Sequence, residues 1–455
     1  MSPSIVNDSK ARVPSPGYGK PLPIFDALYR SLPAGTDDEQ FWWKLTGRHL
    51  ARMMLEAGYP EARQVECLLF HRFTIVPTFG PQPVSSEPWY RSRVAASAGD
   101  GAPISYSWRF GTAEKQPYIR NYIEPLGPLT GTAADPNNEV ATKALLNEFT
   151  RSLPNVDMSL FWTFEPHLRN QFSSKAEREQ YAGPSVLTGV EMLPDSNAID
   201  IKMYLYPRIP EQINKLLTTT LPQAMQEAYG DNVSLESLNV VKDFLSNHPD
   251  GRQLSPRGTT AIDCCKIDES RLKFYMATPN TCFDHIASVM TVGGLRPLSP
   301  KILASLRELW YELNGLPADF PTSEPVPTPV GQDSNAMSHK GVGFYYDIQP
   351  RLALPDVKIF IDVRKHTKND MAAAETVVSF LERHGRGPNP RAYLNVLRDI
   401  VPAEELEART GVQAFYSVAV KKDEFDITAY FIPQIYRRFA AVQLELNGQR
   451  RSRFE

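Results

Sequence analysis

Along residues 271–276, Arg271, Lys273 and Tyr275 alternate with Leu272, Phe274 and Met276. Side chains on a β-strand point alternately to its two faces, so two cations and a phenol share one face and the apolar groups the other. The pattern recurs. In 198–206, Asp200, Lys202, Tyr204 and Tyr206 oppose Ile199, Ile201, Met203 and Leu205. In 356–364, Lys358, Phe360, Asp362 and Arg364 oppose Val357, Ile359, Ile361 and Val363. Arg120 with Tyr122, and Thr428 with Tyr430, continue it in 118–124 and 425–432. The period predicts strand pairs at about 66–76 with 104–110, 185–193 with 198–206, 260–267 with 271–278, 341–348 with 356–363 and 414–420 with 425–432, and makes 118–125 an extra strand.

Helical spacing fills the intervals. Thr36-Asp37-Asp38-Glu39 has the form of a capping box and opens an amphipathic helix through Phe41, Trp42, Leu45, Leu50, Met53 and Met54 that stops at Gly58. Further helices are predicted at 140–153, 210–229, 234–247, 300–314 and 369–384, the last opened by Asn369. The later strand pairs begin at 185, 260, 341 and 414, so a helix-plus-hairpin unit recurs at intervals of 75, 81 and 73 residues without sequence likeness between units. Residues 1–35 read as a loose arm, 36–440 as one domain, 441–455 as a tail, and Pro317–Pro329 as a surface linker. Hairpins joined by helices form either an open antiparallel sheet covered on one face or a closed barrel wrapped in helices.

Composition narrows the function. The chain has 455 residues, 42% hydrophobic and 22% charged, with a net charge of −3. It therefore lacks the global basic field of a nucleic-acid binder, and any anion site is local. Cys67, Cys264, Cys265 and Cys282 have no CxxC spacing, and no histidine pair has metal-ligand spacing, so a reduced, metal-free cytoplasmic protein is expected. No run approaches the ~20 apolar residues that span a bilayer, so neither membrane insertion nor secretion is expected. Monomer and homodimer are both left open.

Taken singly, each strand cation reads as a solvated residue on an exposed face. Jointly, Arg120, Lys202, Arg271, Lys273 and Lys358 lie in four units, flanked at i±2 by Tyr122, Tyr204, Tyr275 or Phe360. Unpaired cations in a closed lumen are costly unless an anion compensates them. Asp200, Asp362 and Glu124 supply part of that compensation, and the remainder points to a bound phosphate or diphosphate. No Walker loop, Gly-rich dinucleotide turn or DDxxD pair is present, and the Glu-x-Glu pairs at Glu177/Glu179 and Glu405/Glu407 fall outside the strands. A cavity of cations and aromatic faces suits a reaction in which diphosphate leaves and a carbocation is shielded.

With these features the chain resembles the fungal aromatic prenyltransferases of the dimethylallyltryptophan-synthase family. The resemblance is carried by Phe41-Trp42-Trp43 with Gly47, Tyr59 with Gln64, Gly80-Pro81, Arg120 with Glu124-Pro125, and Asp135-Pro136-Asn137. It continues through Lys202-x-Tyr204, Arg271-x-Lys273-x-Tyr275, Tyr345-Tyr346-Asp347-Ile348 and Asn369-Asp370. It implies an α+β fold, a closed ten-stranded antiparallel barrel with a polar lumen ringed by helices, acting without metal or cofactor. It also implies that Arg120, Lys202, Arg271 and Lys273, with Lys358 and Lys421, bind the diphosphate of dimethylallyl diphosphate, and that Tyr204, Tyr275, Tyr430 and Phe360 shield the cation. The chain departs from the family in three places. Ser105 stands where members acting on indoles carry a Glu, Phe360 replaces a tyrosine, and the strand at 185–193 lacks a lysine proposed as base in some members, Glu191 being the nearest titratable group. Glu191 reads equally as base or as partner of a lumen cation. The expected activity is dimethylallyl transfer to an electron-rich aromatic acceptor, phenolic in preference to indolic because of Ser105. The rivals are prenylation of an indole or tryptophan derivative, a non-catalytic isoprenoid-diphosphate binder, and a metal-dependent tunnel phosphohydrolase.

Overall fold

A computed structural model describes residues 21–94, 99–112, 115–327, 341–421, 423–443 and 446. Its ten strands are β1 (Ile104–Arg109), β2 (Tyr118–Ile123), β3 (Val186–Met192), β4 (Ile199–Leu205), β5 (Ser255–Asp263), β6 (Leu272–Thr278), β7 (Val342–Ile348), β8 (Asp356–Asp362), β9 (Gln413–Lys421) and β10 (Glu424–Phe431). Each pairs antiparallel with its sequence neighbours, and β1 pairs with β10, Tyr106 opposite Phe431 and Arg109 opposite Thr428, closing the barrel. Closure settles the choice between open sheet and barrel.

The apolar strand faces point outward to the helices. Tyr106, Trp108, Phe274, Tyr346, Ile359 and Tyr416 are fully buried there. Each such aliphatic or aromatic side chain contributes about 1.5–3 kcal/mol by leaving water. Trp108 packs on Tyr393 of the helix Ala392–Ile400 at 6.0 Å between ring centroids, and Tyr106 meets His49 edge-on at 5.7 Å.

Local signals account for much of the helical layer. Thr36 Oγ1 accepts from the Glu39 amide at 3.2 Å, as the capping box requires, and the helix runs with one widened turn at Trp43–Gly47 to Glu56. Gly58 ends it at φ +75°, a left-handed conformation that glycine adopts without strain. Asn369 Oδ1 caps the helix Asp370–Arg383 through the Ala372 amide at 2.7 Å. Several residues carrying the family resemblance prove to be clamps. Asp370 accepts the Gly411, Val412 and Gln413 amides at the start of β9, and the Tyr59 hydroxyl accepts from Ile119 N at 3.1 Å and donates to the Met192 carbonyl, tying β2 and β3 to the helical layer.

The structure differs from the sequence expectations at four places. Residues 66–76 are not a strand: Glu61–Phe70 is a helix continued by a wide turn over His71–Ile75. Its buried Arg63, Gln64, Cys67, Leu68, His71, Arg72 and Ile75 follow a helical stripe, which the aromatic and β-branched content of the segment obscured. The extra strand at 118–125 is instead the partner of β1, Ser107 facing Arg120. The arm at 1–35 contains the helix Pro23–Ser31, whose Phe25 packs on Trp43 at 5.1 Å. Gly47 permits that approach, because a Cβ there would lie 2.4 Å from the Trp43 ring. At the other end Val442 and Leu446 are buried and Lys44 Nζ donates to the Leu446 carbonyl at 2.5 Å, so packed residues extend past the expected boundary at 440, and 447–455 of the expected tail lie outside the described residues. The Pro317–Pro329 linker lies partly outside the described residues, although Val326 is buried. Among the described residues no helix is long and apolar enough to cross a membrane.

Candidate active site

Antiparallel topology decides where the charges go. In a closed barrel of successive hairpins, all five hairpin turns lie at one rim. The polar-face charges sit beside those turns: Arg109 ends β1, Arg120 is third in β2, and Glu191 is next to last in β3. Lys202 is fourth in β4, Asp263 ends β5, Lys273 is second in β6, Lys358 is third in β8, and Lys421 ends β9. They therefore converge on one mouth of the lumen.

A cavity of about 540 Å³, including its opening, is lined there by Arg109, Arg120, Lys202, Arg271, Lys273, Lys358 and Lys421, with Glu191, Asp426, Thr428 and five tyrosines. Every donor-binding residue expected from the sequence lines it. Three groups of contacts order the cations. Arg120 donates to Glu191 Oε2 from Nε at 2.8 Å and from Nη2, and to the Tyr122 hydroxyl at 2.7 Å. Asp263 accepts from Arg271 Nε at 2.7 Å and Lys273 Nζ at 2.5 Å, with Lys202 Nζ 3.5 Å away and also 3.2 Å from Glu191; Arg271 reaches Asp347 at 3.1 Å. Arg109 donates to both oxygens of Asp426, at 2.5 and 2.6 Å.

Seven lining cations stand against four contacting carboxylates, Glu191, Asp263, Asp347 and Asp426, before the half-exposed Asp200 at the rim is counted. The lumen thus carries an excess of up to three positive charges, comparable in magnitude and opposite in sign to an ionised diphosphate. Burial pushes the Lys273 ammonium down to about 8 although Asp263 opposes the shift, and burial likewise brings Lys358 to about 8 against Asp426. Both lysines are charged below pH ~8 and lose their protons above it.

An anionic donor binds the charged lysines, so its affinity falls as pH rises through ~8, by up to one decade per unit for each lysine deprotonated, and binding at pH 8–9 takes up protons. Stability moves the other way. Between the folded value of about 8 and the unfolded value of ~10.4 the unfolded chain binds more protons, so these two groups favour folding increasingly as pH rises. Pyrophosphate titrations from pH 7 to pH 9.5 beside thermal melts test both halves, and parallel trends would contradict the assignment.

Below the charged rim lies a belt of rings. Centroid distances run Tyr204–Tyr122 5.7 Å, Tyr122–Tyr430 5.9 Å, Tyr430–Phe360 5.9 Å, Phe360–Tyr345 5.8 Å and Tyr345–Tyr275 5.4 Å. All four expected shield residues belong to it. Lumen-facing glycines leave room: a Cβ on Gly189 would lie 3.3 Å from the Tyr204 ring, and one on Gly343 would lie 3.4 Å from Phe360 Cβ. Ser105 lies on the lumen face opposite Tyr122, at belt level, while Ile104, Tyr106 and Trp108 face the helices.

Two site expectations change. Burial alone would raise the Glu191 carboxyl, but Arg120 and Lys202 outweigh it and hold it far below the usual carboxylate range. So acidic a group, engaged by Arg120 and Lys202, is a poor proton acceptor, which favours the reading of Glu191 as a cation partner over that as a base. Glu124 does not compensate the cations, because it is fully buried among Tyr90, Ser92, the Arg93 amide and Asn138 and fastens the 90–93 segment to the barrel. Lys421 is exposed at the rim, unlike the buried Lys202, Lys273 and Lys358. Sequence reading passed over Arg109, Tyr118, Tyr345, Asp263 and Asp426 as site residues. Strand parity places all five on polar faces and would have found them.

A closed barrel with a cationic rim over an aromatic belt defines an aromatic prenyltransferase. Residues 38–396 match the family described as tryptophan dimethylallyltransferase, and the chain belongs to that family of fungal aromatic prenyltransferases. It is 78% identical over 456 residues to Prenyltransferase nscD of Neosartorya fischeri, covering 100% of each chain. The crystal structure of NotF in complex with brevianamide F and DMSPP is similar in fold, with a TM-score of 0.73 and 22% identity over 91% of this chain and 99% of that one. So is that of the prenyltransferase PriB in ternary complex with L-tryptophan and dimethylallyl thiolodiphosphate, with a TM-score of 0.63 and 17% identity over 87% of this chain and 96% of that one.

Proposed function

We propose that the enzyme transfers a dimethylallyl group from dimethylallyl diphosphate to an electron-rich aromatic ring. The observation that carries this reading is the stacking of seven cations directly above six aromatic rings in one lumen. The C–O bond breaks with its electron pair passing to the diphosphate, whose growing charge Arg120, Lys202, Arg271, Lys273 and Lys358 stabilise more strongly than that of the bound ester. The allyl cation lies against the π faces below. A pair from the acceptor ring forms the new bond, and the proton then lost restores aromaticity. With Glu191 acidic and engaged, the departing diphosphate, held beside the same cations, is the acceptor of that proton.

Release of diphosphate that requires an aromatic acceptor separates this reading from a non-catalytic binder. Persistence of the rate in a chelator separates it from a metal-dependent phosphohydrolase, since the cations supply the charge neutralisation; complete loss of activity in EDTA, restored by magnesium, would contradict it.

Two acceptor classes each have an observation behind them. The family description and the PriB complex with L-tryptophan favour an indole, against the phenol anticipated from the sequence. Ser105 favours the phenol, because a hydroxyl both donates to and accepts from a phenolic OH, while it offers an indole N–H no charge. A panel of indoles and phenols assayed with one donor decides between them. Whichever ring the wild type prefers, Ser105→Glu is expected to shift relative rates towards indoles, by a few kcal/mol at most, through one charge-assisted hydrogen bond and repulsion of an ionised phenol. An unchanged ratio of rates would remove Ser105 from the acceptor site.

A further inference from the structure

Three of the lining cations are held by a single carboxylate. Lys273 Nζ lies 2.5 Å and Arg271 Nε 2.7 Å from Asp263, and Lys202 Nζ is 3.5 Å from it. Asp263 itself is buried and does not line the cavity, whereas all three cations do. It lies at the end of β5, where the barrel register sets it directly across from Lys202. Arg271 and Lys202 each have a second anion, Asp347 at 3.1 Å and Glu191 at 3.2 Å. Lys273 has Asp263 as the one carboxylate within salt-bridge distance among the described residues.

Such an arrangement has two opposed physical effects. The carboxylate orients three flexible or forked side chains and makes their burial tolerable, which favours a pre-formed anion site. Its charge also cancels part of the field that the same cations present to the lumen, so a diphosphate is held less tightly than by the cations alone. An enzyme that must discharge diphosphate on every turnover needs both effects.

We propose that Asp263 is a positioning residue that sets the strength of the diphosphate site, backing Lys202, Arg271 and Lys273 while weakening their hold so that the product can leave. The proposal rests on the donor-site reading above and adds to it a residue that touches neither substrate. The balance is electrostatic: an amide of the same shape would keep an oxygen acceptor for one cation and remove the opposing charge.

Asp263→Asn tests it through inorganic pyrophosphate, the product itself. Calorimetric titration at pH 7 is expected to show pyrophosphate binding about tenfold tighter than in the wild type, with the thermal midpoint lowered in buffer and recovered by pyrophosphate, because the ligand now supplies the missing anion. A merely structural Asp263 would lower stability and affinity together, so pyrophosphate binding that is unchanged or weaker in Asp263→Asn overturns the proposal. If the variant does not fold in buffer, refolding in millimolar pyrophosphate should recover it, and failure to recover is equally contrary. The donor-site reading fails separately: wild-type protein that binds no pyrophosphate, or binds it as well after Arg271→Ala, removes the site itself and not only the part assigned to Asp263.

Discussion

Replacing Lys273 by alanine is expected to lower kcat by ~10- to 100-fold while leaving the barrel folded. The ammonium lies in the cavity, and its contact with the departing diphosphate strengthens as the C–O bond lengthens and charge collects on oxygen. A hydrogen bond to a charged group contributes about 1.5–3 kcal/mol, and each ~1.4 kcal/mol lost from the transition state is a decade in rate. Folding should survive for a specific reason. Asp263 keeps Arg271 at 2.7 Å and Lys202 at 3.5 Å, so no carboxylate is orphaned, and the cost of burying an ammonium that is already pushed down to about 8 disappears. Steady-state kinetics beside a thermal melt make the comparison. A kcat within about twofold of wild type would take Lys273 out of the donor site, and a collapsed melt would show that its role is structural.

The second large effect is expected at the centre of the aromatic belt. Tyr430 touches both Tyr122 and Phe360, at 5.9 Å each, and so joins the two halves of the ring chain. Tyr430→Leu keeps an apolar side chain but removes a π face, and a desolvated cation–π contact is worth up to ~2 kcal/mol, or about 30-fold in rate. Product partition should change with rate. A less shielded allyl cation is captured more often by water, so the fraction of donor ending as the five-carbon alcohol should rise. Chromatography of the products from labelled donor measures both quantities, and an unchanged alcohol fraction at unchanged rate would show that the belt does not face the cation.

Much of this site was legible along the chain because strand parity is a local property. Once Leu272, Phe274 and Met276 are taken as the packing face, Arg271, Lys273 and Tyr275 must share the other, wherever the strand is placed. The same argument holds for Lys202 with Tyr204 and for Lys358 with Phe360. Parity also predicts the lumen positions of Arg109, Tyr345 and Asp426, which were passed over because each looked ordinary by itself. The segment 66–76 failed for the converse reason: Phe70, Phe73, Thr74, Ile75 and Val76 have strand-like composition, and only the fourfold spacing of its buried residues betrays the helix.

Hydrophobic alternation and capping residues determined by themselves the segments that form the ten strands and which face of each is polar, although the same signals also marked 66–76 as a strand. These depend on backbone geometry over a few residues. Only the tertiary structure decided what those faces meet. Closure through β1 and β10, some 320 residues apart in the chain, turns a polar surface into a lumen, where removal from water brings Lys273 and Lys358 to about 8 and makes an excess of cations an anion site. It also decided that Glu191 is held ionised by Arg120 and Lys202, and that Lys202 of β4, Lys273 of β6 and Arg271 just before β6 share Asp263. Ion pairing and desolvation depend on distances of a few ångströms between residues far apart in sequence, and those distances exist only once the barrel has closed.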